Sequence, residues 1–275
     1  MRHITLYLLL CFACATAFPA FAFHSNPTVA DVVTGTVLLN QKSPLNAKAI
    51  LAALPADWKI RTDSADSGDK TIVFSAPGAT VMIAYLDYAA PSADIRAAAQ
   101  ISWLWTNAAT EATTHQAQAV ISIISSTGKM VEAYKLFTKV AACILEKSNA
   151  SGVFMNNQYL LVPKGAYVSA AHNLLNTGTL PLYCWIYFGM QQEKDKAGGY
   201  TYGLQEFGIK EMEVSGSKHS LQDVHSKIYE AVLYALQSNI VITNGQTIPL
   251  SEGQSVVVRL SKAVYIDGET WKLEF

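Results

Sequence analysis

The chain has 275 residues, 51% hydrophobic and 15% charged, with 20 Lys+Arg against 21 Asp+Glu and a net charge of −1. That composition excludes an intrinsically disordered chain, which needs low hydrophobicity and high net charge. It also excludes a nucleic-acid binder that works by charge excess, because phosphate recognition needs surplus clustered Lys and Arg.

The first segment reads as a leader. Arg2 and His3 precede an uncharged apolar run from Ile4 to Phe18, and Pro19 followed by Ala20-Phe21-Ala22 gives a small-x-small cleavage pattern. A membrane anchor is the alternative, but a span needs roughly 18–20 apolar residues and this run is shorter. The expectation is a signal peptide over 1–22, a mature N-terminus at Phe23, and an exported soluble protein. No stable membrane span should remain after leader removal. Cys11 and Cys14 leave with the leader, so Cys143 and Cys184 remain. They form no C-x-x-C and have no His at metal-ligand spacing, so no metal site and no cofactor is expected.

Val32–Asn40 reads as a buried strand. A helix over Leu45–Leu54 follows, with Ser43 as N-cap and Pro44 at its first position. Lys59–Thr62 reads as a short edge strand, and 63–69 as a loop. Thr71–Ala76 and Thr80–Asp87 are strands joined at Pro77-Gly78. Pro91 starts an Ala-rich helix to Trp105, and Gln118–Ser125 is a β-branched strand. Lys129–Lys147 is a helix whose apolar stripe carries Tyr134, Phe137, Val140, Ala141, Ile144 and Leu145, with Cys143 pointing away from it.

Gly152–Asn156 reads as a strand and Pro163–Leu175 as a helix. Leu180–Met190 reads as a long central strand with Cys184 buried in it, and the two thiols are expected to be too badly placed to bridge. Tyr200–Phe207 and Lys210–Ser215 read as strands around Gly208. Ser220 and Asp223 form a capping box for a helix. Asn244-Gly245 and Asp267-Gly268 read as hairpin turns, the latter closing a C-terminal β-hairpin over 255–275.

These elements give an α+β protein, with mainly antiparallel sheets and helices on one face, in a single unit over 23–275. GTVLLNQ (35–41) and GVFMNNQ (152–158) each precede a helix. Halves at about 32–127 and 128–250 can therefore be read as two ferredoxin-like split-βαβ units. Chance likeness of short strand-helix units is the alternative.

The chemistry-bearing motifs are sparse. Ser-x-x-Lys occurs at Ser67, Ser126 and Ser215 without the partner motifs of serine acylation. SSTGKM lacks the first Gly and the final hydroxyl of a phosphate loop. His115 stands at the entrance of a strand, where a structural hydrogen bond is the first expectation and presentation for chemistry the alternative. Glu206, Glu211 and Glu213 cluster, and Glu211 and Glu213 would share a strand face, expected to be solvated, with paired carboxylates for acid-base work as the alternative. Trp103, Trp105, Tyr183, Trp185 and Tyr187 could line a ligand groove or pack a core.

TYGLQEFGIKEMEV, with LPLYCWIYF ahead of it and HQAQAVISI further upstream, resembles the bacterial family called domain of unknown function 4261. The pattern T-x-G-L-x-x-h-G-x-x-E-x-E, h being apolar, is matched by Thr201, Gly203, Leu204, Phe207, Gly208, Glu211 and Glu213. His115 also fits, and the likeness extends over about 34–250. The resemblance implies no established activity, cofactor or catalytic residue. Many relatives look cytosolic, from which the leader departs; with the leader, the resemblance to a bacterial family implies a periplasmic or secreted protein. The leading expectation is a non-enzymatic binding or interaction protein with an unknown protein or small-molecule partner, an immunity or accessory role being a special case. Its candidate binding residues are His115, Trp103, Thr201, Glu206, Glu211 and Glu213. The alternative is an envelope hydrolase using His115 with Glu211 or Glu213.

Overall fold

A computed structural model describes residues 31–275. The leader and its cleavage site lie outside the described residues. The protein is α+β, built on two mostly antiparallel sheets. The first sheet begins with β1 (Asp31–Leu39), followed by helix α1 (Ala47–Ala56) and the strands β2 (Ser64–Ser67), β3 (Thr71–Ala76) and β4 (Ala79–Leu86). Helices α2 (Ser92–Ile101) and α3 (Ala108–Glu111) lead to β5 (Ala117–Ser125), and α4 (Met130–Lys147) leads to β6 (Ala150–Met155) and β7 (Leu160–Pro163). The strand order is β2-β3-β4-β5-β1-β6-β7, antiparallel throughout.

The chain then forms α5 (Lys164–Thr177), a single turn α6 (Leu182–Trp185), and strands β8 (Tyr187–Glu193), β9 (Lys196–Tyr202) and β10 (Met212–Ser217). Helix α7 (Leu221–Ser238) is followed by β11 (Thr247–Pro249), β12 (Ser255–Lys262) and β13 (Glu269–Glu274). This second sheet has the order β11-β12-β13-β10-β9-β8, with one parallel pair, β10 and β13. As the sequence suggests, β12 and β13 form a C-terminal hairpin, with Leu260 opposite Trp271.

Burial explains the layering. Val33, Val37 and Leu39 alternate onto one face of β1, where Phe137 of α4 packs. Gly35 lies under that ring: a Cβ there would come within 2.5 Å of Phe137. Leu38, Phe154 and Leu161 point the other way, where Ile95, Ala98 and Trp105 cover them. The first sheet therefore carries helices on both faces at one end. Trp185 Nε1 donates to Thr138 of α4 (2.8 Å), tying the α6 turn to the first half of the chain.

Several elements depart from the sequence reading. The LPLYCW segment is a helical turn, and β8 is an edge strand. Pro181 opens that turn, and a run apolar on both faces does not distinguish a strand from a buried turn. The edge strand is Ser64–Ser67, not Lys59–Thr62. Its four side chains are all exposed, and main-chain pairing with β3 needs no apolar side chains. Asn46 caps α1 in place of Ser43, accepting from Ala49 N–H. Asn244-Gly245 turns the chain ahead of β11 without joining two strands. The strand expected over Tyr200–Phe207 stops at Tyr202. The two likened segments, GTVLLNQ and GVFMNNQ, pair with each other in one sheet, Val37 opposite Val153. The division between sheets therefore falls after Pro163 and not at 127/128.

Cys143 is the other correction. It is buried, not outward, because α1 covers that side of α4 and the thiol lies 3.9 Å from the Ile50 carbonyl. Both Cys143 and Cys184 are free, and burial pushes each thiol up to about 12. Thiol titration of the mature chain should give two thiols after denaturation and no fast reaction when native. The raised folded pKa also sets a sign. The thiols' contribution to stability is whole below the unfolded thiol's pKa, and is lost as pH climbs through the folded value.

Candidate functional site

The motif glutamates hold the backbone. Glu211 is 2% exposed. One of its oxygens accepts from Gly203 N–H (2.8 Å) and Gln205 N–H (3.3 Å), and the other accepts from the Thr201 hydroxyl (2.7 Å). Thr201 in turn accepts from Met212 N–H (2.8 Å), so the carboxylate staples the end of β9 to the start of β10. Between them the chain makes one 3-10 turn, Leu204–Phe207, entered at Gly203 (φ 119°) and left at Gly208 (φ 73°). Both glycines hold φ in the left-handed region, and at Gly203 a Cβ would meet Gln158 at 2.8 Å. Glu213 is fully buried. It accepts from Val264 N–H (3.1 and 3.0 Å) and lies 3.5 Å from the Lys272 ammonium, which fastens the loop between β12 and β13.

The other candidate residues are also accounted for by structure. His115 accepts at Nε2 from Ala90 N–H (2.8 Å), and its Nδ1 is 2.7 Å from the Ala112 carbonyl. That is the geometry of a neutral ring joining two loops, and burial lowers its pKa, which agrees. Glu206 accepts from Asn157 (3.3 Å). Trp103 is 51% exposed and sits edge-on to Tyr183, while Trp105 donates to Glu111 and Trp185 is buried. Among the described residues no hydrogen bond or ion pair joins His115 to Glu211 or Glu213. The geometry therefore gives the hydrolase alternative no support: each of these groups is engaged in holding backbone.

What the staple presents is a wall. Phe207 packs on Tyr134 of α4 at 4.4 Å between ring centroids, and Gly208, Ile209 and Lys210 continue from it. A cavity of about 800 Å³ opens between this turn, the start of α4 and the end of α7. Met130, Val131, Phe207, Ile209, Leu236 and Trp271 give it apolar surface. Asn239 ends α7 in the left-handed conformation (φ 49°) and sends Ile240–Ile242 along the cavity. Val241 is 86% exposed there. Lys129, Lys135 and Lys210 stand at the rim. Lys135 pairs with Glu132 (2.7 Å) and Lys210 with Glu269 (3.3 Å). A cavity of this size, mostly apolar with a few polar groups, has the character of a ligand site. Among the described residues no cluster of three or more His, Cys, Asp or Glu could hold a metal ion.

Residues 200–274 match the family model described as Domain of unknown function (DUF4261). This segment belongs to that family. The DUF4261 match runs from the end of β9 through β13, a different span from the 34–250 expected from resemblance. It contains the staple, the turn and Trp271, while Met130 and Val131 come from outside it. No curated protein and no solved structure matches the chain. The sequence motif reached the turn but not the groove. The apolar Ile240–Ile242 run ahead of Asn244-Gly245 lines the groove and belongs to no strand.

Proposed function

We propose that the protein is an exported, non-enzymatic binding protein, periplasmic or secreted, that takes its ligand in the groove between α4, α7 and the 204–210 turn. The observation that carries this reading is the use made of the DUF4261 motif. Thr201, Gly203, Gly208 and Glu211 spend their chemistry on shaping one wall of an apolar cavity, not on a reacting centre. The leader pattern supports export. Among the described residues no helix is long and apolar enough to cross a membrane.

The test is a fluorescence titration with Nile red, an uncharged apolar dye, on the mature chain. Saturable emission should appear. Val241→Asp should weaken it about tenfold, because burying a carboxylate against the dye is unfavourable, while the fold stays intact at so exposed a position. Equal titrations for wild type and variant would place the dye elsewhere and remove the support for the groove.

A further inference from the structure

We propose that the groove takes a single-chain anionic amphiphile, with its tail in the apolar cavity and its head in a basic pocket across α4. The inference rests on the groove reading above and adds the class of its ligand. The second pocket, about 330 Å³, lies on the other side of α4 against the Pro77-Gly78 turn. Lys59, Arg61, Lys129, Lys135 and Lys139 line it, and Glu132 is the one carboxylate among its lining residues. Arg61 is paired with Asp63 (2.9 Å), Lys135 with Glu132, and the Lys59 ammonium donates to the Ala56 carbonyl. Lys129 and Lys139 have no ion-pair partner among the described residues. Burial holds Lys139 below the usual lysine range; Glu132 pulls the other way and Lys135 adds to the lowering. The chain's net charge is −1, so this cluster is not a by-product of a basic composition. Like charges gathered in a concave site raise the local concentration of a counter-ion.

The two depressions are neighbours. Lys129, Glu132 and Lys135 line both, and at spacings of three residues they form one ridge along α4. Apolar space and cationic space are thus separated by the width of a side-chain row. A free anion would leave the groove unused, and a neutral chain would leave Lys129 and Lys139 unpaired. A peptide would need a strand edge to pair its main-chain amides, and the one strand that reaches the groove, β13 with Trp271, is central and already paired on both sides. A molecule with an aliphatic tail and an anionic head matches both halves.

Calorimetric titration of the mature chain with decyl phosphate and with the neutral decyl maltoside, each below its critical micelle concentration, tests the proposal. Decyl phosphate should bind at least tenfold tighter. Lys129→Ala/Lys139→Ala should erase that preference, weakening decyl phosphate about tenfold more than decyl maltoside, whereas Val241→Asp should weaken both alike. Circular dichroism melts check the fold, and the exposed single variant Lys129→Ala gives the same readout should the double variant be unstable. Equal binding of the two detergents would overturn the anionic head while leaving the groove reading standing. Binding of neither would sink both. Inorganic phosphate matching decyl phosphate, or binding only to phosphatidylglycerol vesicles, would overturn the amphiphile in the groove.

Discussion

Deleting Thr270–Phe275 should collapse the second sheet and lower the melting midpoint by about 10 °C or more. Strand β13 is central there, paired with β12 on one side and β10 on the other. Trp271 is 9% exposed and Leu273 is also buried. Exposing large apolar side chains costs about 1.5–3 kcal/mol each, so these two alone account for about 3–6 kcal/mol. That is a large share of the roughly 5–15 kcal/mol that holds a typical protein folded. At about 2–4 °C per kcal/mol for a chain of this size, the midpoint shift follows. The deletion also removes Lys272 from the buried Glu213, and the Trp271 N–H from the Glu211 carbonyl (2.8 Å). A thermal melt followed by circular dichroism checks it, and an unchanged midpoint would show the strand to be peripheral.

Replacing Glu211 should be nearly as costly, and the pattern of substitutions separates a staple from a reacting group. Glu211→Ala strands Gly203 N–H, Gln205 N–H and the Thr201 hydroxyl in a buried site. Unpaired buried polar groups cost about 1–3 kcal/mol each, more where a charged partner is lost, so we expect about 3–5 kcal/mol in chemical denaturation. Glu211→Gln keeps one acceptor oxygen and turns the other into a donor, so its loss should be smaller, at about 1–3 kcal/mol. Both variants should also weaken Nile red binding, because the turn carrying Phe207 loses its anchor. A reacting carboxylate would behave differently, since its removal leaves stability unchanged. An unaltered denaturation midpoint for Glu211→Ala would contradict the staple.

Much of the fold was legible because its signals are local. The helical stripe of α4, the Ser220-Asp223 capping box, the Pro77-Gly78 turn and the Asp267-Gly268 hairpin rest on neighbours within a few residues, and all four stand in the structure. The misreadings arose where tertiary surroundings decide. LPLYCW is apolar on every side, so its pattern does not tell a strand from the turn that Pro181 opens and that Trp185 ties to Thr138 of α4. The phase that put Cys143 outward is correct for a helix lying on one sheet, and α1 overturns it by covering the second side. The site was half legible. The motif singled out Thr201, Glu211 and Glu213, but the glutamates read as a solvated strand face with acid-base chemistry as the alternative, whereas both are buried on backbone N–H groups, 6 and 8 positions away for Glu211 and 51 and 52 for Glu213. The groove was not legible, because its walls come from α4, the 204–210 turn and the segment after α7. Sequence order alone does not bring these together.

The most direct test of the account is a backbone amide chemical-shift map of the mature chain titrated with decyl phosphate. The account predicts saturable shifts at Met130–Lys135, Phe207–Lys210 and Ile240–Ile242, with the amides of Ala90 and His115 unmoved. Shifts centred on Ala90 and His115, with the 207–210 turn silent, would contradict it.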